Sequence, residues 1–409
     1  MRQLTFTMSL LAAAVLAGCG GGSANDPAPK IKFTSQVTFG DSLSDVGTYA
    51  VGTVKALGGG KYTVNAADSK NWTELVAASL GLAAPCAAQT GLDGFLSQGF
   101  SVAVTNHAGC TGYAQGGARV TNPVGPGNKL LGGGNAVLGQ LTVPVVTQIQ
   151  NHLTANGGKF KGDEIVFVSA GPNDVFMQTG ALSAAATAAA TAAVTAAVPG
   201  QIQQNIGNGT CVPTDAQASN CIPAAVASLS ATVGASAGAA YAKANAQTYV
   251  DAMGTAGTEL AAYVNNLILA KGAKYVVVVN MPDISKTPSG ITQSIDSQKL
   301  LNGMAITFNS RLQADLVGKD SVLVIDQFTR FNDQVANPAT YGLTNVTTPA
   351  CDLTPAKNPL GSSLVCNAGN LVAGDVSHYF FADSVHPTPF AYSLFGNFVT
   401  AELKKRGWL

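Results

Sequence analysis

Val37-Thr38-Phe39-Gly40-Asp41-Ser42-Leu43-Ser44-Asp45 runs from a short β-rich stretch into a glycine and then into a cluster of Asp and Ser. Val37 to Phe39 reads as a buried strand. Gly40 permits a tight turn after it, and Asp and Ser are the residue types that start helices. Three more such runs follow, at Ile165 to Ser169, Tyr275 to Asn280 and Val322 to Ile325. Between them lie helix-compatible segments, including Trp72 to Leu80, Val143 to Leu153 and Tyr263 to Leu269. This alternation predicts a doubly wound α/β fold with a mainly parallel sheet. Ligands of such sheets bind beyond the carboxyl ends of the strands. The residues found there are Gly40-Asp41-Ser42, Gly171-Pro172-Asn173-Asp174 and Met281-Pro282-Asp283.

Charge excludes some function classes. Only 11% of the 409 residues are charged, and Lys+Arg and Asp+Glu are equal at 22 each. There is no basic field to hold nucleic acid. Outside the first twenty residues the apolar stretches are short or Ala-rich, and none reads as a strongly apolar membrane span.

The N-terminus, with Arg2, the apolar run Leu10 to Leu16 and small residues up to Cys19, reads as an export signal over residues 1–19. Leu16-Ala17-Gly18-Cys19 resembles the lipobox of bacterial lipoproteins, which makes Cys19 the lipidation site. Residues 20–33 then form a flexible tether. The expected locations are the outer membrane, held through the lipid anchor alone, or the secreted fraction. Setting Cys19 aside, six of the seven cysteines lie as three close pairs. The simplest of the fifteen possible pairings joins Cys86 with Cys110, Cys211 with Cys221, and Cys351 with Cys366. No pair has the spacing of a zinc or redox site, so no metal is expected.

Residues 34–409 are expected to form the folded domain, with two interruptions. Ala181 to about Met253 is Ala- and Thr-rich and predicts a helical insertion, read either as a lid or as a packing hairpin. Residues 332–378 predict a surface loop stapled by Cys351 and Cys366. Thr388-Pro389 reads as an N-cap and first helical residue, with Phe390, Leu394, Phe398 and Leu403 near helical spacing behind them.

A serine becomes a nucleophile only when a base takes its proton and a third group holds that base. The chain has four histidines. His386 lies in Asp383-Ser384-Val385-His386-Pro387, where a turn would fold Asp383 back onto the imidazole Nδ1. Ser42, at the first strand end, is the matching nucleophile, and Asp41 is expected to support its turn. Gly234-Ala235-Ser236-Ala237-Gly238 fits the GxSxG nucleophile elbow, but its Ala-rich flanks lack the strand that elbow requires. His107, His152 and His378 read as structural or surface histidines, with His378 close enough to the last motif to line a cleft.

Phe39 to Asp45 resembles the first block of the GDSL, or SGNH, hydrolases, and three further blocks follow in that family's order. Tyr113-Ala114-Gln115-Gly116-Gly117-Ala118 is similar to the second, Gly171-Pro172-Asn173-Asp174 to the third, and Asp383 to His386 to the last. The resemblance implies a flavodoxin-like three-layer α/β/α fold and hydrolysis of carboxylic esters, as an esterase or lipase, without a cofactor. Ser42, His386 and Asp383 would be its catalytic residues. Ser42 and Gly117 N–H groups and the Asn173 side chain would form the oxyanion hole, with Gly116 as the alternative glycine. Gly112 stands where the second block usually has Asn. The implied substrate is a small-molecule or lipid ester. Lysophospholipase or acyltransferase chemistry, or a non-catalytic envelope-binding lipoprotein, are the competing readings, and oligomeric state stays open.

Overall fold

The computed structural model describes residues 31–211 and 215–409, so the export signal, the lipobox Cys19 and most of the tether lie outside the described residues. The strands are β1 (Gln36–Phe39), β2 (Gln89–Asp93), β3 (Ser101–Asn106), β4 (Ile165–Ser169), β5 (Tyr275–Val279) and β6 (Val322–Ile325). Four of them form one parallel sheet in the order β1-β4-β5-β6, while β2 and β3 pair as a separate antiparallel ribbon. On the free side of β1, Thr38 donates to the Thr111 carbonyl and accepts from the Tyr113 amide, so the chain around Gly112 extends the sheet.

The principal helices are α1 (Trp72–Ser79), α2 (Val145–Ala155), α3 (Pro172–Gly207), α4 (Asp215–Leu229), α5 (Ala235–Tyr263), α6 (Ile295–Ala314), α7 (Gln327–Ala336) and α8 (Pro389–Arg406). Side chains alternate along each strand, so one sheet face carries Val166, Val168, Val276 and Val278 and the other Ile165, Phe167, Val277 and Val279. The first face packs against α2, α5 and α6 through Ile149, Leu260 and Phe308; the second packs against α1 and α8 through Trp72, Phe395 and Val399. Both faces are therefore apolar and covered, which is why the strand runs read as continuous rather than alternating. The result is a three-layer α/β/α fold.

The Ala-rich stretch is helical in its described residues apart from the turn at 208–211. α3 starts at Pro172, immediately after β4, and α5 returns to the body to pack along α6. Ala is the strongest helix former, and little else in this stretch competes with the helix. By length and composition, Pro172–Gly207 and Cys221–Lys271 are also long and apolar enough to cross a membrane. Their hydropathy accumulates from alanine, so neither shows the strongly apolar run by which a membrane span stands out in a sequence. Disulfides join Cys86 to Cys110, Cys211 to Cys221 and Cys351 to Cys366.

Candidate active site

The turn after β1 is built by close approach. A Cβ at Gly40 would lie 2.7 Å from Ser169 Oγ on β4. The Gln148 side-chain oxygen accepts from the Gly40 N–H and its amide donates to the Gly40 carbonyl, both at 2.8 Å, which clamps this glycine from α2. Asp41 then caps a single 3₁₀ turn, Ser42–Ser44, by accepting from the Leu43 N–H. The expected helix start is thus one short turn, which leaves Ser42 at the strand end with its hydroxyl facing His386.

The structure brings Ser42, His386 and Asp383 into one hydrogen-bonded chain. His386 Nε2 lies 2.8 Å from Ser42 Oγ, and Nδ1 lies 2.8 Å from Asp383 Oδ2. Asp383 Oδ1 accepts from the backbone N–H groups of Val385 and His386, which closes the turn that places acid and base three residues apart. Its Oδ2 also accepts from the Ser363 N–H at 2.7 Å. Burial alone would raise the Asp383 pKa, but the His386 charge and the hydrogen bonds from His386 and Ser363 outweigh it and hold the carboxyl well below the usual carboxylate range. A carboxylate so placed fixes the imidazole with its proton on Nδ1 and its lone pair on Nε2, toward the serine. The Tyr62 ring lies against His386 with ring centroids 4.7 Å apart.

The two glycines of the second motif have different fates. The Gly116 N–H donates to Asp45 Oδ2 at 3.0 Å, and Asp45 also accepts from Gly47 and Thr48. The Gly117 N–H has no acceptor among the described residues. Gly117 is left-handed at φ +77°, and a Cβ there would lie 2.3 Å from the Pro126 carbonyl oxygen, so only glycine fits. Asn173, buried in the first turn of α3, donates one side-chain N–H to the Ala118 carbonyl, which leaves the second N–H for another acceptor. Asp174 next to it takes the Arg119 guanidinium at 2.8 Å and the Val120 N–H at 3.0 Å, tying the glycine loop to α3. Burial raises the Asp174 carboxyl, and Arg119 and Val120 counter it.

Asp41 is buried, and burial pushes its carboxyl up to about 6, against the lowering effect of the Leu43 N–H and His386. The other histidines stand apart. His152 packs against Phe160 and Phe39 in the core, and burial lowers it to about 4. His107 bonds Thr90, while His378 is exposed and bonds the Gly342 carbonyl. Ser236 is exposed on the first turn of α5, which follows a helical turn, Ser230–Gly234, and no strand. Among the described residues no group of three His, Cys, Asp or Glu side chains is placed to hold a metal ion.

Three parts of this site were not singled out from the sequence: Ser363, Tyr62 and Gln148. Each reaches the site across long sequence separation. Asp45 and Asp174 were within quoted motifs, where adjacency to Ser42 and Asn173 was the available signal.

No family model matches the chain. The chain is similar to curated Arabidopsis thaliana proteins named GDSL esterase/lipase. One is 26% identical over 162 residues, 36% of this chain and 44% of the relative. Another is 26% identical over 150 residues, 34% and 40% of the two chains, and a third is 35% identical over 105 residues, 23% and 24%. The chain thus spans less than half the length of these relatives.

Proposed function

We propose that this chain is a GDSL-type serine hydrolase that cleaves carboxylic esters through an acyl-enzyme. The observation that carries the reading is the Asp383–His386–Ser42 chain, with 2.8 Å at both links from the imidazole. The similarity to proteins named GDSL esterase/lipase supports ester hydrolysis at the level of the family.

His386 Nε2 takes the Ser42 proton as Oγ attacks the ester carbonyl, and the Asp383 carboxylate favours the imidazolium that forms. The tetrahedral oxyanion is held by the Ser42 and Gly117 N–H groups and the second Asn173 N–H. The imidazolium returns its proton to the leaving alkoxide and alcohol departs. Water, deprotonated by His386, then attacks the acyl carbonyl and releases acid and free Ser42. In deacylation His386 hands the water's proton to Ser42 Oγ as the acyl bond breaks, so each proton moved passes through its imidazole.

The same reading makes the protein an exported one, with residues 1–19 as signal and Cys19 lipidated. Three disulfides support an oxidising compartment. A Cys19→Ala variant should move from the membrane fraction to the soluble one.

Hydrolysis of p-nitrophenyl esters by wild type, Ser42→Ala and Ser236→Ala tests the chemistry. Loss of turnover in Ser42→Ala alone is the expected result. Turnover surviving in Ser42→Ala refutes the assignment, and a wild type inert on every ester puts the non-catalytic lipoprotein in its place.

A further inference from the structure

One face of α3 runs outward from the oxyanion residue. Asn173, Phe176, Gly180, Ser183, Thr187 and Val194 recur at steps of three, four or seven residues, which sets them along one side of the helix. Asn173 and Phe176 line the pocket that also holds Ser42 and His386, a narrow space of about 60 Å³. Phe176 and Ile284 line both this pocket and a groove of about 600 Å³ between α3, α5 and α6, so these two side chains stand between the two spaces. Ser183, Ala186 and Gly238 in turn line both that groove and a further hollow of about 690 Å³ toward the tip of the Ala-rich helices. At 1.5 Å per helical residue the track from Asn173 to Val194 is about 32 Å long.

The groove sets Thr179, Ser183, Ser289, Gln293 and Ser297 among apolar residues and glycines, so its only polar side chains are neutral. Among the described residues, neither the groove nor the hollow is lined by any Asp, Glu, Lys, Arg or His. Between Asp174 and Lys243 the whole sequence carries one charged residue, Asp215. Beyond Phe176 the walls on α3 and α5 are small apart from Leu182, with Leu300 and Leu301 of α6 beside them. A charged ligand would find no opposite charge here, whereas a hydrocarbon chain needs none and has Phe176, Leu182, Ala186, Leu300 and Leu301 to lie against.

We propose that this track is the acyl-chain site, which makes the substrate an ester of a long, uncharged acid whose chain passes Phe176 and Ile284 and lies along α3. This rests on the ester-hydrolase reading and adds its substrate class. The Ala-rich helices then form one wall of the binding site.

Fully burying a methylene strengthens binding about fourfold, and a groove open on one side gives about twofold. Lengthening the acyl group from butyrate to octanoate adds four methylenes, hence about sixteenfold in kcat/KM. A Cβ at Gly180 points into open space, so Gly180→Trp is accommodated by the helix and fills the groove. Ser183→Asp, a second and independent variant, sets a charge in the chain's path.

The experiment measures kcat/KM for p-nitrophenyl acetate, butyrate and octanoate, below micellar concentration, in wild type and both variants, with thermal melting as a check on folding. Binding of palmitate and of butyrate to the Ser42→Ala protein, with and without Gly180→Trp, is measured by calorimetry. The expected results are a rise of at least tenfold from butyrate to octanoate in wild type, collapse of the octanoate/acetate ratio in both variants, and palmitate binding that Gly180→Trp abolishes. An optimum at acetate or butyrate, or a rise that survives in both folded variants, overturns the proposal. If no ester is hydrolysed, the ester-hydrolase reading fails, and palmitate binding decides the groove separately: binding lost in Gly180→Trp sustains it, and absence of binding overturns it.

Discussion

Replacing Asp383 by Asn tests the positioning half of the triad with little change of shape. Asp383 Oδ1 accepts the Val385 and His386 N–H groups, while Oδ2 accepts the Ser363 N–H and the closer contact from His386 Nδ1. Every neighbour is a donor. An Asn amide keeps one oxygen, which belongs with Val385 and His386, and its NH₂ then faces the Ser363 N–H and the imidazole. Two hydrogen bonds to a charged acceptor are lost, at about 1.5–3 kcal/mol each. The imidazole answers by moving its proton to Nε2, which removes the base from Ser42. The lost hydrogen bonds lower stability, while the lost base raises the barrier by about 3–6 kcal/mol, or about 10²–10⁴ in kcat. The assay is kcat for p-nitrophenyl butyrate at pH 8, with circular dichroism to show that the fold is kept. A folded Asp383→Asn enzyme that retains more than a tenth of wild-type kcat refutes the reasoning.

Four further outcomes follow from the same contacts. Asn173→Ala removes one donor of the proposed oxyanion hole and should lower kcat by about 10²–10³ with KM little changed, in steady-state assays. Asp41 binds its proton more tightly folded than unfolded, so its contribution is full below its ordinary pKa near 4 and lost as pH rises through about 6. Asp41→Asn, which keeps an oxygen for the Leu43 N–H, should therefore stabilise at pH 8 by up to roughly 3 kcal/mol relative to pH 4, seen in denaturant titrations at the two pH values. Asp383 has the opposite sign: its carboxylate stabilises above the unfolded pKa and that stabilisation is lost as pH falls toward its lower folded pKa. Acid melting curves below pH 4 should flatten in Asp383→Asn. Cys351 and Cys366 close a loop of 15 residues that contains Ser363. Cys351→Ala with Cys366→Ala should cost about 3 kcal/mol and lower kcat as the Ser363 donor loosens, measured by urea unfolding and ester hydrolysis.

What the sequence made legible was local or periodic. The four sheet strands stand out because Val166, Val168, Val276 and Val278 are covered on one face while Phe167 and Val277 are covered on the other, which leaves unbroken apolar runs. Asp383 and His386 were legible because a three-residue turn brings them together. The β2–β3 ribbon left no such mark: Ser101–Asn106 is almost wholly exposed and shows no alternation of burial. Helix α6 buries Leu301, Met304, Phe308 and Leu312 at helical spacing, but Asp296, Gln298, Lys299 and Asn302 dilute that stripe at its start. Gln148 reaches Gly40 across 108 residues, and Ser363 reaches Asp383 from inside a disulfide loop. Contacts of that kind depend on how the layers stack, which a short motif does not encode.

The glycine of the second motif was a matter of hydrogen-bond accounting. The motif match favours Gly117 with Gly116 as the alternative, and Asp45 engages the Gly116 amide while the Gly117 amide has no acceptor among the described residues. The left-handed backbone at Gly117 adds the reason a glycine stands there.

The most direct measurement is covalent trapping: incubate the protein with a fluorophosphonate, digest it and locate the adduct by mass spectrometry. A serine activated by His386 predicts a single adduct on Ser42, formed in wild type and absent from His386→Ala. An adduct on Ser236, or labelling of Ser42 that persists in His386→Ala, contradicts it.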